Sequence, residues 1–199
     1  MDSELLKHNY EKLMKHYGNK YTDFDLFFQN YEGLFVFSRI DIVFNVLTNL
    51  LDQKIIQKKQ KFLECGSGDG RIVALGSILG FESYGLELSN DMNEIAIKNI
   101  EKLREDGVFE ILPIVKQGDF LKSESYSKLD CPIANIDIFF NYYTNTELLA
   151  NIVTKHAKIG AILISVSLSK RPVPCGLELI YNSTLPDRNH YLFVYKKSK

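Results

Sequence analysis

The sequence predicts an α/β fold: a mostly parallel sheet with helices on both faces. Three observations predict it. From Lys61 onward, short apolar runs alternate with segments of helical period, the pattern of repeated strand–helix units. The junction Glu64-Cys65-Gly66-Ser67-Gly68-Asp69-Gly70 hands an apolar run straight to a helical pattern through three glycines at alternate positions. The last two apolar runs have no helix between them, so they can pair as a closing hairpin that adds an antiparallel strand.

The elements follow in order. Leu5, Leu6, Tyr10, Leu13, Met14 and Tyr17 keep helical spacing over 3–17 and stop at Gly18, a C-terminal cap. Residues 21–37 carry seven aromatics, Tyr21, Phe24, Phe27, Phe28, Tyr31, Phe35 and Phe37. They read as a segment packed over the domain edge, with a lid over a ligand as the alternative. Ser38 is placed to cap a helix over 39–52 whose Ile40, Val43, Phe44, Leu47, Leu50 and Leu51 face a core. A polar run, 53–61, leads to the glycine junction. Beyond it the pattern gives strand 62–65, helix 70–79, strand 83–87, helix 90–105, strand 111–116 and a short helix within 120–128. Strand 134–140, helix 145–157 and strand 160–166 come next. Two closing strands, near 177–183 and 190–196, flank the turn-like Leu185-Pro186-Asp187-Arg188-Asn189. The expected organisation is an N-terminal helical and aromatic extension, 1–37, packed on one domain over 38–199.

Bulk properties narrow the function. The chain has 199 residues, 45% hydrophobic and 25% charged, enough to bury a core without staples. A net charge of −1 without a basic block argues against an obligate grip on nucleic acid; the Lys-Lys-Ser-Lys ending reads as a solvated tail. The charged first residues lack a signal-peptide core, and no stretch is long and apolar enough for a membrane span. Cys65, Cys131 and Cys175 lie far apart, and the four histidines, His8 and His16 among them, form no metal-binding spacing. The expectation is therefore a reducing, cytoplasmic setting with no metal.

The chemistry sits at the strand tips, where ligands bind in open α/β sheets. Side chains at Gly66, Gly68 or Gly70 would block either the sharp turn or a ligand's approach to the backbone. A dinucleotide fingerprint reads G-x-G-x-x-G. Here Arg71 takes the third glycine's place and the glycine comes one residue early, which disfavours a nicotinamide dehydrogenase. The second strand ends at Glu87, whose carboxylate can accept from both hydroxyls of a ribose; capping the helix at Asn90 is the alternative. The third leads to Gly118-Asp119-Phe120, where Asp119 can accept from an adenine amino group and Phe120 can cover the ring. The fourth ends Phe140-Asn141-Tyr142-Tyr143, an amide and two aromatics. No Ser/His/Asp or Cys/His set suggests covalent catalysis, and Cys65 reads as a buried small hydrophobe.

From about residue 34 to its end the chain resembles the class I S-adenosylmethionine-dependent methyltransferases, on the pattern [D/E]-x-G-x-G-x-G at 64–70, Glu87, and Asp119-Phe120. The resemblance implies a Rossmann-like, doubly wound seven-stranded sheet of order 3-2-1-4-5-7-6 with the seventh strand antiparallel. It implies S-adenosyl-L-methionine as cofactor. Glu64, Gly66, Ser67, Gly68 and Gly70 would line its methionine end, Glu87 and Leu88 the ribose, Asp119 and Phe120 the adenine, and Asn141 the methyl group. Asn141-Tyr142-Tyr143-Thr144 lacks the prolines of DNA amino-methylating enzymes.

A nearer likeness is to the small archaeal protein-lysine methyltransferases and related non-SET lysine methyltransferases. It rests on Leu34-Phe35-Val36-Phe37-Ser38, Gly66-Ser67-Gly68-Asp69-Gly70-Arg71-Ile72, Gly85-Leu86-Glu87-Leu88, Asn145-Thr146-Glu147-Leu148-Leu149, Gly160, and Asn189-His190-Tyr191-Leu192-Phe193-Val194-Tyr195. Phe37-Ser38-Arg39 stands where those enzymes have prolines around a threonine. The implied reaction is methyl transfer to an amino nitrogen, with a protein lysine favoured. Asn141, Tyr142 and Tyr143 would be its catalytic residues, and Phe140 would join the tyrosines in an aromatic channel. The tyrosines can equally be packing residues. A small metabolite or RNA acceptor, and a non-catalytic cofactor-binding subunit, are the alternatives.

Overall fold

The computed structural model describes residues 3–18, 27–30, 33–36, 38–143, 145–167, 169, 173–185 and 190–199, with the backbone alone over 27–36. Helix α1 spans Ser3–Tyr17 and buries Leu13 and Tyr17. It ends where the Gly18 N–H bonds to the Met14 carbonyl. The aromatic side chains of 21–37 lie outside the described residues, so the packing and lid readings both do. The backbone there forms an antiparallel pair, β1 (Phe27–Asn30) and β2 (Gly33–Val36), with Phe27 opposite Val36. Helix α2 (Ile40–Asp52) starts one residue later than expected. Its first bond runs from the Val43 N–H to the Arg39 carbonyl. Arg39 thus holds the cap position, Ser38 falls one residue outside the helix, and no side chain caps it.

The main sheet follows, with β3 (Lys61–Cys65), α3 (Arg71–Ile78), β4 (Glu82–Glu87), α4 (Asn90–Glu105), β5 (Ile114–Gln117), α5 (Ser123–Tyr126), β6 (Ile138–Tyr142), α6 (Thr146–His156), β7 (Ile162–Ser167), β8 (Leu177–Thr184) and β9 (Tyr191–Lys197). Ser89 caps α4 by accepting from the Met92 N–H. The strands stand in the order β5-β4-β3-β6-β7-β9-β8. Counted within this sheet the order is 3-2-1-4-5-7-6, as expected. β3, β4, β5, β6 and β7 are parallel, and β9 runs antiparallel between β7 and β8. The turn residues 186–189 between β8 and β9 lie outside the described residues.

Two strands begin three or more residues later than expected. β5 begins at Ile114 rather than residue 111, because Pro113 has no N–H for a ladder. β6 begins at Ile138 rather than residue 134, because the chain after Pro132 makes a 3₁₀ turn at Ile133–Asn135. The second shift matters for function: it carries Asn141 and Tyr142 into the strand.

Alternation sorts the sheet's side chains onto two faces. Phe62, Ile138, Phe140, Ile162, Ile164, Val166, Leu192 and Val194 join the cluster that also holds Leu13, Val43, Leu47 and Ile72 of α1, α2 and α3. Leu63, Phe139, Leu163, Phe193 and Tyr195 point the other way, onto Tyr126 of α5 and Leu149, Ala150 and Val153 of α6. No helix among the described residues is long and apolar enough to cross a membrane.

Candidate functional site

The order of strands reverses between β3 and β6, the place where open α/β sheets bind ligands at their carboxyl ends. The glycine loop lies at that place. Gly66, Gly68 and Gly70 all have positive φ, at 85°, 51° and 82°, which a side chain would resist. A Cβ on Gly70 would come within 3.1 Å of the Ala96 Cβ, so this glycine also sets how closely α3 and α4 pack. The N–H groups of Gly66 and Ser67 both bond to the Leu86 carbonyl, at 2.9 and 3.0 Å. The loop is thereby folded back over β4.

Glu87 ties three strand tips together. Its carboxylate accepts from the Gly68 N–H at 2.7 Å and from the Ser89 N–H at 2.9 Å. Its backbone carbonyl accepts from the Gly118 N–H at 2.8 Å. The tips of β3, β4 and β5 therefore converge on one residue that is only 9% exposed. Leu88 beside it is solvent-exposed. Asp119 stands at the third tip with its side chain 26% exposed, accepting from the Leu121 N–H at 2.9 Å. The Phe120 ring lies over the glycine turn, 3.7 Å from where a Cβ on Gly66 would stand. Tyr126 fixes it from behind by donating to the Phe120 carbonyl.

Glu64 and Ser67 lie beneath the loop. Glu64 is buried and accepts from the Val73 N–H at 3.1 Å in the first turn of α3. Burial, with the Asp69 and Glu87 carboxylates close by, pushes its carboxyl well above the usual range. The buried Ser67 hydroxyl has no hydrogen-bond partner among the described residues. Burial likewise pushes the Cys65 thiol up, which suits a packing residue and not a nucleophile.

Sequence reasoning missed the bracket around this loop. The Arg71 Nε and Nη2 donate to the two oxygens of Asp69 at 2.9 and 2.7 Å, an ion pair whose side chains are 10% and 1% exposed. The Tyr17 ring of α1 lies under the Arg71 guanidinium, 5.3 Å from it, and the Tyr17 hydroxyl donates to the Asp69 carbonyl. The Asn99 amide donates to the same carbonyl, and His16 bonds to Asn99 in turn. The opposite charges of Asp69-Gly70-Arg71 were the visible sign; the α1 contacts had none.

At the fourth tip Asn141 is wholly enclosed. Its amide donates to the Cys65 carbonyl at 3.1 Å and accepts from the Thr146 hydroxyl at 3.0 Å, which also lies 3.1 Å from Ser165 Oγ. Asn141 thus ties β6 to β3, to α6 and, through Thr146, to β7. Phe140 does not line a channel. It is fully buried against Phe62 on the core face, because strand alternation turns it inward. Tyr142 and Tyr143 are half-buried, with hydroxyls 3.0 Å apart. Tyr143 holds a φ of 72° while its N–H bonds to the Val166 carbonyl. Its hydroxyl lies 2.5 Å from His190 Nε2. His190, missed as a site residue, precedes the antiparallel β9, so it reaches the edge where β6 and β7 end.

The sequence matches no protein-family model and no curated protein. Solved structures do resemble the fold. An RNA methyltransferase from Salinibacter ruber, in complex with S-adenosyl-L-homocysteine, superposes with a TM-score of 0.57 at 20% identity, over 78% of this chain and 92% of that one. The fold is that of the class I methyltransferases. An rRNA methyltransferase from Streptomyces viridochromogenes gives a TM-score of 0.62 at 9% identity over 81% of this chain and 86% of that one. A geranyl diphosphate C-methyltransferase from Streptomyces coelicolor gives 0.55 at 10% identity over 77% and 79%.

Proposed function

We propose that this protein is an S-adenosyl-L-methionine-dependent methyltransferase that delivers a methyl group to an amino nitrogen, on a protein lysine. The observation that carries the reading is the convergence of three strand tips on Glu87. The residues there fit an adenosyl sulfonium. Glu87 supplies a carboxylate for the ribose hydroxyls and Asp119 one for the adenine amino group, while Phe120 offers a flat apolar cover. Gly66, Gly68 and Gly70 offer a ligand bare backbone in a turn of positive φ, and the buried Ser67 hydroxyl beside them has no hydrogen-bond partner among the described residues. When bound, the cofactor supplies an electrophilic methyl group.

The chain's own residues do the rest by positioning. Asn141, locked between Cys65 and Thr146, sets the height of the β6 tip against the glycine loop. Tyr142 and Tyr143 present half-buried rings just beyond it, a surface that attracts a cationic side chain by its π faces. Exclusion of water among these rings lowers the pKa of an entering ammonium, so the neutral amine becomes accessible. A second reading, RNA as acceptor, draws on the two RNA methyltransferases with this fold; the net charge of −1 weighs against it.

Incubation with radiolabelled S-adenosylmethionine and a cell extract, followed by fractionation, tests both. Label is expected in protein and lost after protease treatment. Label in RNA or small molecules would overturn the lysine assignment. Binding by calorimetry without transfer would make the chain a cofactor-binding subunit, and absence of binding would remove the reading altogether.

A further inference from the structure

We infer that Tyr17 and Asn99 are positioning residues for the cofactor: through the Asp69 carbonyl they fix the turn that orients the Glu87 carboxylate. The inference rests on the cofactor reading above and extends it to two helix residues away from the strand tips. Three observations support it. The Asp69 carbonyl accepts from side chains of two different helices, Tyr17 Oη of α1 at 3.2 Å and Asn99 Nδ2 of α4 at 3.0 Å. Two donors fill both lone pairs of a carbonyl and so fix the plane of its peptide. That peptide belongs to a closed four-residue turn, 67–70, whose ends meet where the Gly70 N–H bonds to the Ser67 carbonyl at 2.9 Å. Finally, the same turn reaches Glu87, because the Gly68 N–H donates to its Oε2 at 2.7 Å. Adjacent residues, Gly68 and Asp69, thus carry the link to the ribose carboxylate and the link to the two helices.

The turn needs such outside ties. Two of its four residues are glycines, Gly68 and Gly70, with φ of 51° and 82°, and glycine loses the most conformational freedom on ordering. Ties made before a ligand arrives remove that cost from binding, the general advantage of preorganisation. Packing alone does not account for the two residues. Tyr17 is 1% and Asn99 6% exposed, and phenylalanine and leucine would fill such places without burying polar atoms that must then be paired. Nor is the Tyr17 hydroxyl needed to seat α1. Asn9 Nδ2 and Lys12 Nζ already fasten that helix to the carbonyls of Val108 and Asp106, at 2.9 and 2.7 Å, beyond the far end of α4. What the hydroxyl adds is its hold on Asp69, whose carboxylate Arg71 holds in turn with the Tyr17 ring beneath. With that hold released, the Gly68 N–H wanders from Oε2 and Glu87 must be realigned each time a cofactor binds.

Tyr17→Phe keeps the ring under Arg71 and removes one donor; Asn99→Leu removes the other. By calorimetry each should bind S-adenosylmethionine about 5-fold more weakly, the net worth of one ordinary hydrogen bond. Lys12→Ala, which cuts a tie of α1 remote from the turn, should bind as the wild type does. In a Glu87→Ala background, where the turn has no carboxylate to orient, Tyr17→Phe should change affinity less than about 2-fold, as residues acting through one link are not additive. Without any ligand, deuterium exchange at the Gly68 amide should be about 5-fold faster in Tyr17→Phe, because local opening of the turn sets its protection. Wild-type affinity in Tyr17→Phe and Asn99→Leu, an equal loss in Lys12→Ala, a loss of about 5-fold that survives in Glu87→Ala, or an unaltered Gly68 amide would each overturn the inference while leaving the cofactor reading standing. A wild-type protein that binds no S-adenosylmethionine would remove both.

Discussion

Replacing Asp69 by Asn tests whether the glycine loop is held by a buried ion pair. The substitution preserves shape and removes charge. Asp69 and Arg71 meet through two hydrogen bonds with their side chains 1% and 10% exposed, so solvent screening does little to dilute the pair. Removing one partner of such a pair leaves an uncompensated buried charge and costs about 3–5 kcal/mol. Because Oδ1 survives in Asn and still accepts one guanidinium N–H, the lower end, about 3 kcal/mol, is expected. A domain of this size loses about 2–4 °C in Tm per kcal/mol, so Asp69→Asn should melt about 6–12 °C lower. Arg71→Met should cost a similar amount by stranding the carboxylate. The double variant, with no charge left to strand, should recover most of the loss. The chain has no tryptophan, so urea unfolding is best followed by circular dichroism. Additive losses, with the double variant near 6 kcal/mol, would refute the argument: Asp69 and Arg71 would then act separately.

Other expectations follow from the same site. Gly70→Ala forces a Cβ into a left-handed residue and to 3.1 Å from Ala96; the backbone term alone is about 1–2 kcal/mol, and denaturant titration should show at least that. Glu87→Gln exchanges a charged acceptor for an amide facing two N–H donors, so S-adenosylmethionine should bind about 1–3 kcal/mol more weakly by calorimetry; unchanged affinity would refute the ribose assignment. Glu64 gives a pH signature. A carboxyl held above its unfolded value contributes stability in full below that value, 4.5, and loses it as pH rises through the folded one. Glu64→Gln keeps an acceptor for the Val73 N–H, so wild-type stability should fall relative to the variant as pH rises above 4.5; a difference that stays constant up to the alkaline limit of folding would refute the titration of Glu64.

The strand tips were legible because their chemistry is local. Three alternate glycines permit the positive φ that a sharp strand-to-helix turn needs, and a carboxylate that ends an apolar run falls at the end of a strand. The closing hairpin was legible too, since Leu185–Asn189 is too short for a crossover helix. What depended on competing local bonds was less so. Ile133 and Ala134 look like strand residues, yet Pro132 starts a turn that delays β6 by four positions. That delay leaves the alternation unchanged, so Phe140 still turns inward, but it carries Asn141 and Tyr142 into the strand. Least legible were contacts made across long stretches of chain. Tyr17 meets Arg71, and His190 meets Tyr143, only because of how the sheet is ordered, and no window of sequence contains both partners.

The seat of α1 on the loop has its own consequence. A helix laid down before the first strand of the main sheet grips the carbonyl of Asp69 and stacks against the neighbouring guanidinium. The glycine loop therefore leans on an outside buttress. Trimming that helix should slacken the loop without altering any residue proposed to face a cofactor, and a ligand that tightens the loop should in turn shield the helix from proteases.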